Sequence, residues 1–349
     1  MKKTKYIVFF FALLFAGSII VISFLVKQPS YTIHTSGKLY IFSKLSSDYK
    51  VIDLKNGEEL AEYPIQIEPH EAVAIPNQNR IVVTNYGNPE EPGDCITVIN
   101  TKTDKVEKTI NLKGSLRPHG IASLPNSNKV GVLTDVGNDL SIVNIKTGLV
   151  EKKIQTQQEV SHLIVLHPFK SVAFVTNIKS GSVSVIDLDL NKVIQIIPCG
   201  LGTEGIDITP DGSELWVTNN KDNSISVINT SIYKVTNTLN TGKEPLRLKF
   251  SIDGKYCLVA NSSGGTISVF GQQSKKLIKT IIIRGKNNSI ERLLYHTPRP
   301  VGILMHPNGL FAFVSNSNAN EVEVIDMKTF EIVSTIGTGK IPDGLAFVN

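Results

Sequence analysis

The chain has 349 residues, 41% of them hydrophobic and 19% charged, which is apolar mass enough for several ordinary cores. Its formal charge of +5 falls to about +2 once Lys2, Lys3 and Lys5 are set aside, so no basic field marks a nucleic-acid partner. Cys95, Cys199 and Cys257 are odd in number and scattered, which excludes a disulfide framework and leaves the fold to packing.

In chain order, Lys2, Lys3 and Lys5 precede an uninterrupted apolar run over 6–26. That length suits a bilayer-spanning helix better than the core of a cleaved signal, and Ala16-Gly17, the plausible cleavage neighbourhood, lies mid-run. The reading is an N-terminal signal anchor, a transmembrane helix, over 1–27 and a tether over 28–37. Its basic end stays in the cytoplasm, so a single-pass protein of the cell membrane is expected, with the body on the extracytoplasmic side.

The body is repetitive, and residues 203–229 are its cleanest unit. A strand over 205–209 alternates, Pro210-Asp211-Gly212 makes a tight turn, 215–218 is a compact apolar strand, 225–228 a third and 234–239 a fourth. Asn177, Asn219 and Asn261 end second strands at a spacing of 42 residues. Asn85, Asp135 and Asn316 are placed likewise in longer copies, with 50 residues from 85 to 135 and 55 from 261 to 316. The extra residues fall in the loop 86–94 and in an excursion over 284–298. Around Ser43 stands a half-unit without its first strand, and residues 341–347 supply that strand at the other end. Six complete units and one split between the termini predict an all-β, seven-bladed β-propeller over 38–349, built of four-stranded antiparallel blades and closed by pairing of the N- and C-terminal strands.

Val217-Thr218-Asn219-Asn220, with Pro210-Asp211-Gly212 before and Ser226-Val227-Ile228-Asn229 after, resembles the YVTN-type β-propeller repeat family. Leu133-Thr134-Asp135, Val259-Ala260-Asn261 and Val314-Ser315-Asn316 depart from the tripeptide. The resemblance implies an exported propeller and leaves the function open, because that fold hosts surface-layer components as well as relatives of cofactor-bearing oxidoreductases.

The units begin at Pro69, Pro118, Ser161, Thr203, Pro245, Pro300 and Pro342, and the next residues are His70, His119, His162, Glu204, Leu246, Val301 and Asp343. The first strand of a blade is innermost, so three consecutive histidines should face the mouth of the central channel, flanked by Glu204 and Asp343, with Arg247 one residue further along. Three readings follow: His70, His119 and His162 as ligands of Zn²⁺ or Cu²⁺, an acid–base site, or rings that only hydrogen-bond backbone. His167 and His306 belong to turns at the opposite end, His296 to the excursion and His34 to the tether. Trp216 is expected to pack between blades. Phosphate-loop, HExxH, CxxCH and Gly-x-Ser-x-Gly patterns are absent.

Two functional classes result. The first is a membrane-anchored binding or scaffold propeller whose rim engages an envelope protein, a wall component or a small ligand, without nucleic acid. The alternative is an enzyme at the channel mouth. Lactone hydrolases or lactonising enzymes on seven-bladed propellers resemble this chain in architecture, and His70, His119, His162, Glu204 and Arg247 are then the general-base and anion-binding candidates. A metal-dependent oxidoreductase-like site is a variant of that alternative.

Overall fold

The computed structural model describes residues 30–285 and 297–349. The anchor expected over 1–27 lies outside the described residues, as do His296 and most of the excursion 284–298. Among the described residues no helix is long and apolar enough to cross a membrane.

The described strands run from β1 (Lys38–Ser43) to β28 (Pro342–Val348) and form seven four-stranded antiparallel sheets. Six sheets are consecutive meanders, whose inner strands are β4 (Pro69–Ile75), β8 (Pro118–Ser123), β12 (Ser161–Leu166), β16 (Thr203–Ile208), β20 (Pro245–Phe250) and β24 (Pro300–Met305). In the seventh, β28 pairs with β1, Leu39 opposite Phe347 and Ile41 opposite Leu345, and β2 (Asp48–Asp53) and β3 (Glu58–Pro64) follow outward. The seven inner strands start at the residues where the repeat begins.

Second and third strands are packed on both faces, and so read as near-continuous apolar runs, whereas fourth strands alternate toward water. The core is divided among the blade interfaces. Trp216, for instance, is fully buried and meets Phe250 and Phe270 of the next blade edge-on at 5.3 and 6.4 Å between ring centres. Tyr40, Phe42 and Tyr49 of the seventh blade pack with Ile81 and Val83 of the first, so the ring has an apolar seam there as well.

Three expectations change in detail. Residues 30–37 are no free tether: the Thr335 amide donates to the Ser30 carbonyl at 2.9 Å, the Thr32 amide to Ser334 Oγ at 3.0 Å, and Ile33 is buried. The insertion 86–94 is a lengthened hairpin in which β5 (Arg80–Gly87) and β6 (Pro92–Asn100) continue pairing as far as Gly87 opposite Pro92, and Cys95 sits inside β6. The residue opposite Pro118 is Thr134, as Asn85 is opposite Pro69, so Asp135 stands one position beyond the end of its strand.

The asparagines that close second strands serve the sheet through side chains as well as backbone. The buried amides of Asn85, Asn177, Asn219 and Asn261 donate to Thr97, Ser184, Ser226 and Ser268 on the third strand at 2.9, 3.1, 3.0 and 2.9 Å. In the sixth blade Glu323 replaces the hydroxyl residue, and burial together with Glu321 pushes its carboxyl up to about 7.

Candidate active site at the channel mouth

The residue before each inner strand is left-handed, at φ between 49° and 71°, in all seven blades: Glu68, Arg117, Val160, Gly202, Glu244, Arg299 and Ile341. This sharp entry turns the following side chains inward. The carbonyl of the left-handed residue also accepts the amide of the residue that follows the partner of the inner strand's first position, as Glu68 does from Tyr86, Arg117 from Asp135, Gly202 from Asn220 and Ile341 from Lys44, at 2.9 to 3.1 Å. Two rings of side chains therefore face one another across the mouth. The first holds His70, His119, His162, Glu204 and Asp343; the second holds Tyr86, Asp135, Asn220 and Lys44.

Glycines let neighbouring inner strands close up behind the histidines. A Cβ on Gly120 would stand 2.4 Å from the His162 carbonyl oxygen, and one on Gly344 only 1.9 Å from that of His70. Thr84 fixes the adjacent blade, its Oγ1 donating to the His119 carbonyl at 2.8 Å while accepting the Glu71 amide at 3.1 Å. Thr176 and Ser315 donate to the Glu204 and Asp343 carbonyls in the same way, at 2.7 and 2.9 Å. Thr84→Val keeps the shape and removes both bonds, so a loss of about 1–3 kcal/mol is expected in urea unfolding. An unchanged midpoint would show that His119 is held by packing alone.

The rings form a ladder. His70 lies 4.5 Å from Tyr86 and 4.9 Å from His119, and His119 lies 3.7 Å from His162 at a tilt of 32°, all between ring centres. The three histidines do not share a protonation state. Burial, then the Lys44 charge, lowers His70 to about 3, and burial beside His162 and His70 holds His119 well below the usual imidazole range. His162 goes the other way: burial opposes its charge, but Asp135 at 3.2 Å from Nδ1 and Glu204 at 3.6 Å from Nε2 outweigh it and raise it to about 9. His162 is therefore held as an imidazolium, Nδ1 donating to Asp135 and Nε2 in a longer ion-pair contact with Glu204. His70 Nδ1 is 3.0 Å from the Glu68 carbonyl, which can only accept, so the proton is on Nδ1 and the lone pair on Nε2.

Arg247 spans the channel beneath the ladder. It gives Nε and Nη2 to Glu71 at 3.1 and 2.9 Å and Nη1 to Glu204 at 2.9 Å. Burial opposes the guanidinium, and Glu71 and Glu204 more than restore its charge. The Glu204 carboxyl, which burial would raise, is held below its ordinary value by His162 and Arg247, and Asn220 caps its other oxygen. Lys44 likewise holds Asp343 down against burial, at 2.9 Å. Above this layer the mouth encloses about 380 Å³; below it a channel of about 400 Å³ is walled by aliphatic side chains such as Ala72, Ile121, Ile164, Ile206 and Leu248.

The structure brings together all five expected catalytic candidates, His70, His119, His162, Glu204 and Arg247, and adds Glu71, Asp135, Tyr86 and Lys44. The expected Zn²⁺ or Cu²⁺ centre on His70, His119 and His162 does not fit. Both nitrogens of His162 face carboxylates, Nδ1 of His70 is spent on a carbonyl, and His119 lies 3.7 Å from His162 at a tilt of 32°, ring over ring, while ligand lone pairs lie in the ring plane. Among the described residues no group of three or more His, Cys, Asp or Glu is placed to hold a metal ion.

A seven-bladed propeller with buried titratable groups at its channel mouth is the class that fold and site define. The family model described as lactonase, 7-bladed beta-propeller, matches residues 26–281, more than half of the chain and all five candidates. The chain belongs to that family. The match is to the lactonase family and carries no YVTN designation, so the YVTN likeness rests on the repeat tripeptides. No curated protein matches. Among solved structures, the chain is similar to a functionally unknown protein from Desulfotomaculum acetoxidans, at 17% identity and a TM-score of 0.73, with 90% of this chain and 99% of that chain covered. It is also similar to Kuenenia stuttgartiensis hydrazine synthase, at 18% identity and a TM-score of 0.69, covering 80% of this chain and 89% of that chain. Likeness at these identities concerns the fold alone.

Proposed function

We propose that the protein opens lactone rings by hydrolysis at the channel mouth. Family membership favours this enzyme reading over the binding or scaffold reading, and one observation carries it at the level of residues: in a single ladder of buried imidazoles His162 alone lies between two carboxylates, which favour its charged form, while burial favours the neutral form of His70 and His119. Groups whose surroundings drive their pKa values apart are suited to opposite halves of a proton transfer.

His70 Nε2 is a weak base, free of its proton across the neutral range, and takes a proton from the attacking water. As the water oxygen bonds to the acyl carbon, negative charge develops on the carbonyl oxygen, which the Arg247 and His162 cations stabilise. The acyl C–O bond of the ring then breaks, and His162 gives its Nε2 proton, which Glu204 faces only at 3.6 Å, to the departing ring oxygen. The proton on His70 returns to His162 through solvent, which closes the cycle. Glu204 and Asp135 hold His162 charged and oriented, and His119 is the platform between base and acid.

The test is release of acid from glucono-1,4-lactone by the full-length chain. His70→Gln and His162→Asn are each expected to lower kcat by about 10²–10³, the usual share of a positioned acid or base. Wild-type turnover that both variants retain would remove the mouth from the reaction. Anchoring by the apolar run 6–26 is part of the same proposal, with the propeller outside the membrane.

A further inference from the structure

We propose that His119 is a further catalytic residue, whose Nε2 hydrogen is given to the lactone carbonyl oxygen as negative charge builds on it. The inference rests on the lactonase reading and gives the middle rung of the ladder a chemical part beyond support.

The two nitrogens of His119 have different surroundings. Nδ1 is sealed from solvent and has no hydrogen-bond partner among the described residues. An N–H buried without an acceptor is rarer, and so more costly, than an acceptor buried without a donor. The lone pair therefore belongs on Nδ1 of the neutral ring and the hydrogen on Nε2. Nε2 is neither sealed nor bonded within the described residues, and it is left to the mouth that His119 lines.

The ring stays neutral in that role. Burial, then the imidazolium of His162 against its face at 3.7 Å between ring centres, opposes a second proton. The same adjacent charge draws electron density out of the ring and strengthens the remaining N–H as a donor. The donor is also fixed before a substrate arrives, since the His119 carbonyl accepts Thr84 Oγ1 at 2.8 Å and the rings of His70 and His162 flank the imidazole. Other donors of the mouth are turned toward the protein. Arg247 gives Nε and Nη2 to Glu71 and Nη1 to Glu204, and His162 gives Nδ1 to Asp135. The Tyr86 hydroxyl goes to Asp135 at 2.9 Å and Ser317 Oγ to the Pro342 carbonyl at 3.1 Å. The cations thus act on the developing oxyanion through their field, and His119 supplies a hydrogen bond that no acceptor has to give up. No proton moves at His119: the bond to the carbonyl oxygen shortens as its charge grows and relaxes when the ring C–O bond breaks.

Two variants of the full-length protein separate donor from platform. His119→Gln sets an amide NH₂ about where Nε2 stands, and His119→Phe keeps a flat ring in the ladder without a donor. With glucono-1,4-lactone, His119→Phe is expected to lower kcat by about 10²–10³, the usual share of one oxyanion donor, with KM little changed, and His119→Gln to stay within about 10-fold of wild type. A ring that is platform alone gives the reverse order, the Phe variant active and the Gln variant impaired. That result, or equal losses in both, would overturn the proposal and leave the lactonase reading standing. Because Phe is bulkier than the buried imidazole, the wild type supplies a second readout. A long-range ¹H–¹⁵N correlation spectrum at neutral pH, with the His119 signals identified by their loss in His119→Gln, is expected to show hydrogen on Nε2 and a bare Nδ1. The Nδ1–H tautomer, or an imidazolium, overturns the proposal whatever the variants do. If the wild type opens no lactone, the lactonase reading falls, and titration calorimetry with gluconolactone decides the carbonyl contact: binding weakened about 10-fold in His119→Phe and kept in His119→Gln supports it, and equal binding overturns it.

Discussion

Arg247→Ala is expected to be the most damaging single substitution in the propeller, with a loss of about 3–5 kcal/mol in urea or thermal unfolding. The cation is buried, and its fork reaches Glu71 on the first blade and Glu204 on the fourth from its own place on the fifth. Truncation therefore leaves Glu71 without its cation and the buried Glu204 with only His162, at 3.6 Å. The alternative worth weighing is that the group contributes little because desolvation cancels attraction. That applies to replacing all the charges at once, not to removing one of them. Arg247→Met combined with Glu71→Gln and Glu204→Gln should accordingly recover most of the loss. Arg247→Lys should recover only part, because an ammonium cannot donate along both directions of the guanidinium fork. A loss below about 1 kcal/mol for Arg247→Ala would mean that the carboxylates find water once the guanidinium is gone.

The scaffold was legible because its signals are local and repeated. A turn-forming Pro-Asp-Gly and a second strand ending in Asn set the register, and the seven inner strands start where Pro69, Pro118, Ser161, Thr203, Pro245, Pro300 and Pro342 place them. The first ring of the mouth followed from that register. The second ring did not, because Asp135 read as the end of a strand when it stands one position beyond it, one past the partner of the inner strand's first residue, as Tyr86, Asn220 and Lys44 do in other blades. One residue of slippage moves a side chain from a buried sheet position to the rim.

Glu71 was missed for a different reason, and it left a trace. The residue after the mouth position is Gly in four blades, Gly120, Gly205, Gly302 and Gly344, and the polar exceptions are Glu71 and Arg247. Two opposite charges that break one glycine pattern at the same register are candidates to meet across a ring. What no pattern carries is the charge state of the histidines. His70, His119 and His162 are equivalent in the repeat, and only their differing neighbours, Lys44 beside one and two carboxylates beside another, separate them. The metal reading failed on the same point, since three imidazoles at one register say nothing of which way their nitrogens face.

The separation of those charges predicts the pH dependence of the reaction. His70 loses its proton near pH 3 and His162 near pH 9, so the base-plus-acid combination exists throughout the interval between. kcat/KM for glucono-1,4-lactone, corrected for its uncatalysed opening, is expected to be flat from about pH 5 to 8 and to fall above about 9. Stability should follow on the alkaline side. The folded-state value of His162 is raised above the 6.5 of an unfolded chain, so its contribution, about 3 kcal/mol, is fully present below pH 6.5 and is lost as pH rises through about 9. Asp135→Asn removes one of the two carboxylates that hold the proton, and should bring the falling limb down by about 1–2 units while leaving the plateau in place. Asp135 also accepts the Tyr86 hydroxyl at 2.9 Å, and Asn, with one acceptor oxygen, can keep that bond or the one from His162 Nδ1 but not both, so the shift reads out the lost charge together with one lost hydrogen bond. A falling limb that stays near pH 9 in Asp135→Asn would assign it to another group and take the acid role away from His162.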